Sequence, residues 1–225
     1  MDEYIYMIQI EAPAGLEDEF NHIYDTDHMQ HMSQIPGVRD CIRYKLEWSD
    51  NADMIRYLAI YHMNDPELPR SAVWKEHAGR GRWPTDMRPH VKTRRNGVYR
   101  QIVRLDSTSA ENKAKPAYTG DYIYFLQQSV PQALEERFND LYDNDHVPHM
   151  LQTPGVRGCT RFKLMYSESG DVPDYLAIYD IDEPGLPRSP AWKQQTSLGA
   201  WPTEMRPNFT ARRNAVYRFL TKAPA

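Results

Sequence analysis

The sequence predicts an α+β protein made of two tandem βαββαβ units, from an internal repeat and from the order of elements within each copy. One fixed offset of 118 residues carries Phe20-Asn21-His22-Ile23-Tyr24-Asp25-Thr26-Asp27-His28 onto the segment from Phe138 to His146. The same offset carries WPTDMRP at Trp83 onto WPTEMRP at Trp201 without an insertion. Roughly half the positions from Tyr4 to Arg100 are identical to their partners from Tyr122 to Arg218, which marks duplication rather than a short repeat of about 20 to 50 residues. Within each copy, short apolar runs and helical periodicity alternate in one order.

In the first copy Tyr4 to Ile10 reads as an apolar strand. Pro13, Gly15 and the acidic Glu17-Asp18-Glu19 then make a turn and a helix start. At 100° per residue, Leu16, Phe20, Ile23, Tyr24, Asp27 and His31 share one helix face, and Leu134, Phe138, Leu141, Tyr142, Asp145 and His149 repeat it. Pro148 predicts that the second helix ends or kinks just beyond His146. Pro36-Gly37 and Pro154-Gly155 turn the chain into strands Val38 to Trp48 and Arg56 to Met63. A second helix within Pro66 to Gly79, a long loop through Trp83 to Pro89 and a strand from Gly97 to Leu105 complete the copy. This order is the split βαβ, ferredoxin-like arrangement, in which two helices cover one face of an antiparallel sheet and the other face needs a partner. Residues 1–105 and 122–225 are the two units, and the polar segment 106–121 is a linker on the outside. A fused pseudo-dimer follows, with further homo-oligomerisation left open.

Composition narrows the function classes. A chain of 225 residues, 40% hydrophobic, with net charge −4, has length for two domains of about 100 residues each. The pairs Arg94-Arg95 and Arg212-Arg213 lie in balanced charge rather than on a basic face, so nucleic acid is not an expected partner. The acidic start and the lack of an apolar run of about 18 residues predict no membrane association and a cytoplasmic location. Cys41 and Cys159 are repeat equivalents in strand-like segments and read as buried hydrophobes, not as a disulfide.

FNxxYDxDHxxHMxQxPGV, followed by CxRxKL and YLAIY, covers nearly all of both copies and resembles the dimeric α/β-barrel superfamily, within it the EthD-like branch. The resemblance implies that both ferredoxin-like units of one chain pack sheet against sheet and close a barrel. Members implied by it include cofactor-independent enzymes acting on aromatic polyketides, lactones and related carbonyl compounds, monooxygenases among them, and others that bind haem. It places the functional helix-end histidine on His28 and His146. Gln30 stands where the second copy has Pro148, so the two histidines are expected to be aimed differently.

His28 with His31, and His146 with His149, are three residues apart and hence neighbours on a helix. An imidazole near pKa 6.5 can give or take a proton, and Asp27 or Asp145 could orient it. Alternatively, an Asp and two His at a helix C-terminus simply cap carbonyls there. Tyr24 and Tyr142, one turn earlier, offer a phenol to a developing oxyanion, or serve as core tyrosines. Trp83, Trp201, Arg88 and Arg206 stand in a Pro-restricted segment as an aromatic wall and a guanidinium over a pocket, or as a clasp between copies. Trp74 and Trp192 read as packing. Two His and an Asp are compatible with a metal, but no shared histidine completes a set, because His22, His62, His77 and His90 become Asp140, Asp180, Gln195 and Asn208. Those losses predict unequal proton inventories in the two pockets.

The expectation is a lyase or isomerase that needs no cofactor and no metal and acts on a small aromatic or polyketide-like carbonyl compound. In it His28 and His146 are acid/base groups, oriented by Asp27 and Asp145 and assisted by His31 and His149. Tyr24 and Tyr142 polarise the substrate. The alternatives are a haem- or hydrophobic-metabolite-binding protein or monooxygenase of the same fold, and a non-catalytic stress-related interaction protein.

Overall fold

A computed structural model describes residues 3–109, 112, 120–169 and 171–224. In the first half, β1 (Tyr4–Ile10) leads to α1 (Glu17–Ile23), a π-helical turn (Tyr24–His28) and α2 (Met29–Ser33). β2 (Val38–Ser49), β3 (Tyr57–Met63), α3 (Ala72–Ala78), a second π-helical turn (Trp83–Met87) and β4 (Arg94–Asp106) follow. The second half repeats the order with β5 (Tyr122–Ser129), α4 (Glu135–Leu141), a π turn (Tyr142–His146) and α5 (Val147–Met150). It ends with β6 (Val156–Tyr166), β7 (Tyr175–Ile181), α6 (Pro190–Gln195), α7 (Trp201–Glu204) and β8 (Ala211–Pro224). No described helix is long and apolar enough to cross a membrane.

The eight strands form one closed antiparallel barrel in the order β1-β3-β2-β8-β5-β7-β6-β4. Closure occurs at two seams between the halves, β2 with β8 and β4 with β6, so neither half keeps a free sheet edge. Strand alternation sorts the side chains. Ile5 and Met7 of β1 point into the barrel, where they join Ile60, Tyr99, Phe125, Ile178 and Tyr217 from both halves. Ile8 and Ile10 point outward, under the helices of their own half. The barrel thus has a shared interior and two outer helix-on-sheet cores.

Three expectations are corrected here. The helix carrying Pro148 runs on to Met150, and His28 and His146 have nearly the same backbone angles. Pro148 lies in the first turn of α5, where its missing N–H is tolerated, and in the first half the Gln30 amide instead donates to the Asp25 carbonyl. The Trp83 segment is helical rather than an extended loop, as is its Trp201 counterpart. Of the linker, Ala110, Glu111 and residues 113–119 lie outside the described residues, but Asn112 is not external. It is buried, donates to the carbonyls of Leu151 and Thr153 and accepts from the Gly155 amide.

Candidate functional site

The site begins with a change of helical phase. In a π turn the hydrogen bond spans one residue more than in an α-helix, so Met29 N donates to Tyr24 O and Val147 N to Tyr142 O. That extra residue rotates the downstream face. Phe20, Tyr24, His28 and Met32 are buried, whereas Asp27 and His31, assigned to the buried face by a regular 3.6 period, stay partly exposed. Arg43 of β2 grips the turn from below. Its guanidinium, 1% exposed, pairs with Asp25, donates to Asn21 Oδ1 at 2.9 Å and lies 4.3 Å from the centre of the Tyr24 ring. Arg161 repeats this with Asp143, Asn139 at 2.8 Å and Tyr142 at 4.1 Å.

Each histidine is clamped between rings. His28 stacks on Trp83 with centroids 4.8 Å apart and meets the Tyr24 edge at 5.0 Å; His146 stacks on Trp201 at 4.6 Å and meets Tyr142 at 5.2 Å. Burial first, then the nearby Arg88 and Arg43 cations, push His28 down to about pKa 3. Burial, Arg206 and Arg161 do the same to His146. Both imidazoles are therefore neutral at physiological pH. His28 Nδ1 is buried without a hydrogen-bond partner, which leaves Nε2 for an occupant of the adjoining cavity.

Asp27 does not orient His28. Its carboxylate accepts from the backbone amides of Arg82 at 2.7 Å and Trp83 at 3.3 Å and pairs with His31 at 3.4 Å. Asp145 likewise accepts from Ala200 N and Trp201 N, at 3.0 and 3.2 Å, and pairs with His149 at 3.6 Å. The π rotation points each aspartate at the start of the tryptophan segment, so each positions the ring on which the histidine rests. His31 and His149 remain on the outer side and line neither main cavity. Tyr24 borders the first cavity, but its hydroxyl is shared with Tyr61 at 3.2 Å; the Tyr142 hydroxyl accepts from Tyr179 at 3.3 Å and does not border the second. Burial raises both Tyr24 and Tyr142 far above the ordinary phenol range, which makes them neutral hydrogen-bonding groups.

The first cavity, about 330 Å³, lies between β1, β3 and the helices. Trp83 and Arg88 border it, as do Tyr6, Tyr61, Trp74 and Arg94, none of which the sequence had placed in a site. Trp74 is a wall as well as packing, edge-on to Tyr6 at 5.3 Å and to Tyr61 at 5.4 Å. Alternation on β1 and β3 puts those tyrosines on the helix side, and their recurrence as Tyr124 and Tyr179 was the available signal. The second cavity, about 520 Å³, is bordered by His146, Trp192, Trp201, Arg206 and Arg212, and also by Trp48 and Asp50 from the first half. Trp48 Nε1 donates to Pro184 O at 2.7 Å, and Asp50 pairs with Arg188 at the same distance, so the halves share this wall. Arg88 donates to Ala78 O, and Arg206 to Thr196 O at 2.7 Å. Among the described residues none of Arg88, Arg94, Arg206 and Arg212 pairs with a carboxylate.

The histidines found only in the first half do not enter its cavity. His62 pairs with Asp40 and His77 with the His31 carbonyl, so the expected difference in proton inventory does not reach the pockets. At His28 the residues do not fit a histidine-ligated haem. The imidazole lies flat on an indole, and nothing accepts from His28 Nδ1 to supply the bond that orients an axial histidine.

No family model matches the sequence, and no curated protein matches it. Solved structures do match it in shape. An anthrone oxidase-like protein superposes with TM-score 0.64 at 10% identity, over 100% of this chain and 93% of its own. A candidate monooxygenase from Fusobacterium nucleatum gives 0.61 at 10%, over 99% and 94%. A chlorite dismutase variant from Candidatus Nitrospira defluvii gives 0.60 at 10%, over 97% and 91%. The chain shares with these proteins the dimeric α/β-barrel fold, an eight-stranded closed antiparallel barrel with helices outside.

Proposed function

We propose that each half binds a small aromatic carbonyl or phenolic compound as a developing oxyanion and moves one of its protons through a neutral histidine. One observation carries this reading: an imidazole held neutral inside an aromatic box whose mouth bears two guanidiniums free of carboxylates. The substrate ring lies among Trp74, Trp83 and Tyr6, and Arg88 and Arg94 hold the oxygen where negative charge develops. His28 Nε2 takes the proton. The buried imidazolium so formed is costly and returns the proton: to another carbon in an isomerisation, or to the alkoxide oxygen formed when the carbanion closes on a carbonyl in a cyclisation. In a decarboxylation the proton comes from a substrate hydroxyl and goes to the carbon that carbon dioxide has left. His146, Arg206 and Arg212 act alike in the second half. Lyase or isomerase chemistry of this kind needs no cofactor.

The fold neighbours described as an anthrone oxidase-like protein and a monooxygenase favour a second outcome of the same first step, in which the carbanion meets dioxygen. The offset of 118, the matching element order and the helix-end histidines further support descent from a duplicated ferredoxin-like unit of the EthD-like branch. The substrate is the partner we infer for this chain, together with an internal pseudo-dimer and a cytoplasmic setting.

The test is hydrogen exchange of anthrone, whose ring methylene is acidic, followed by NMR in deuterated water with dioxygen excluded and then admitted. Acceleration by the wild-type chain, reduced about 10²- to 10⁴-fold when both His28 and His146 are alanine, is the expected result. Wild-type exchange no faster than buffer would contradict the proton transfer. Dioxygen consumption would select the oxidative outcome.

A further inference from the structure

The two cavities occupy equivalent places and are lined differently at one telling position. Ile10 on β1 and Gln128 on β5 are repeat equivalents, each 3% exposed, and each borders the cavity of its own half. The fold therefore accepts an apolar side chain at this point. Among the described residues the Gln128 side-chain amide makes no hydrogen bond, although the two other buried strand glutamines, Gln9 and Gln127, both donate to tyrosines. The Gln128 amide is not among the buried polar atoms left without a partner, so it opens onto the cavity that it lines, and its apolar counterpart Ile10 shows that the barrel does not require a polar group there. Around it the second cavity is larger, about 520 against 330 Å³, and carries Thr196 where the first has Ala78.

We infer that Gln128 is a specificity-determining residue that reads a hydrogen-bonding substituent, a hydroxyl or carbonyl, on the aromatic ligand of the second cavity. The first cavity takes a ring without that group, because Ile10 and Ala78 offer only hydrocarbon there. This rests on the reading of both cavities as sites for aromatic oxyanions. The two halves then serve different members of one substrate class. A site built around a buried hydrogen-bonding group discriminates against analogues that lack the partner far better than an apolar site discriminates against an added methylene.

Calorimetric titration of the full chain with 2-naphthoate and with 6-hydroxy-2-naphthoate tests this, since the probes share ring and carboxylate and differ by one hydroxyl. The expected result is two sites, one of which binds the hydroxylated probe about tenfold more tightly than the plain one while the other does not. In Gln128→Ile the two probes should bind alike at both sites, and in Ile10→Gln the gain should appear at both. Equal binding of the probes by the wild-type chain, or a gain that survives Gln128→Ile, would overturn the specificity role and leave the oxyanion reading intact. Failure of both probes to bind would overturn both. If Gln128→Ile did not fold, Ile10→Gln would decide alone, with no second gain counting against the inference.

Discussion

Gln9 Nε2 donates to the Tyr217 hydroxyl at 2.8 Å inside the barrel, and the repeat equivalents Gln127 and Tyr99 make the same bond at 3.0 Å. Each bond joins one half to the other. Tyr217 also donates to Ile55 O at 2.8 Å, and Tyr99 to Pro173 O at 3.2 Å, so the phenols tie the seams to the loops at the ends of the barrel.

Tyr217→Phe should cost about 1–3 kcal/mol, because it leaves the buried Gln9 amide and the Ile55 carbonyl short of a partner. Urea denaturation measures this. The two halves should also melt in one transition, since they share the barrel interior. Separate transitions for the halves would contradict the shared core.

The aspartates should act through the tryptophans. Asp27→Ala frees the Arg82 and Trp83 amides, and Gly81→Ala both strains a left-handed residue at φ +68° and drives a methyl group into the Asp27 carboxylate. Both changes should loosen the ring on which His28 rests, seen as altered Trp83 fluorescence, and lower exchange activity of the first half. Unchanged emission in Asp27→Ala would show that the ring is held otherwise.

Arg43→Met should destabilise the chain by about 1–3 kcal/mol, through Asn21 and Asp25 losing their shared donor and Tyr24 losing its cation. Arg161→Met should cost about the same in the second half. A smaller loss than an exposed arginine gives would contradict its role under the π turn. Chemical denaturation with hydrogen exchange at Met29 and Val147 reads it.

Much of this was legible in the sequence, and the reason for the rest is local. Short apolar runs such as Tyr4 to Ile10 and Tyr57 to Met63 marked strands because most of their residues are buried, on one face in the barrel and on the other under the helices. The gapless offset agrees with the element order, which recurs in the second half, and all eight strands close into one barrel. The helix face failed beyond Tyr24 because a π turn has no compositional signature of its own and is held by a distant arginine. Arg43 and Arg161, shared within CxRxKL, were the readable hint: an arginine kept in both copies of an apolar strand needs an acceptor within reach, and Asp25 and Asp143 supply it. Trp83 and Trp201 were legible as an aromatic wall, whereas Tyr6, Tyr61 and Trp74 look like ordinary core residues until the strands and α3 bring them to one cavity.

Acid should destabilise the chain before its carboxylates matter. The folded histidines at about pKa 3 bind fewer protons than the unfolded ones at 6.5, so their contribution is complete above about pH 6.5 and lost as pH falls toward 3. The slope is about 1.4 kcal/mol per pH unit for each histidine. Paired carboxylates such as Glu17, held down to about 2 by hydrogen bonds from Tyr57 and Lys45, respond only below about pH 4.5. Thermal melts between pH 6.5 and 4.5 should thus flatten in His28→Phe and flatten further when His146→Phe is added. Equal slopes in wild type and the double variant would contradict the buried neutral pair.

The most direct measurement is a nitrogen-15 NMR titration of the imidazoles of His28 and His146 in the intact chain, assigned with the single alanine variants. Both rings should keep neutral nitrogen shifts from pH 8 to below pH 5 and first gain a proton close to unfolding. Protonation of either ring with an ordinary midpoint near 6.5 would contradict the neutral-histidine site on which the proposed chemistry stands.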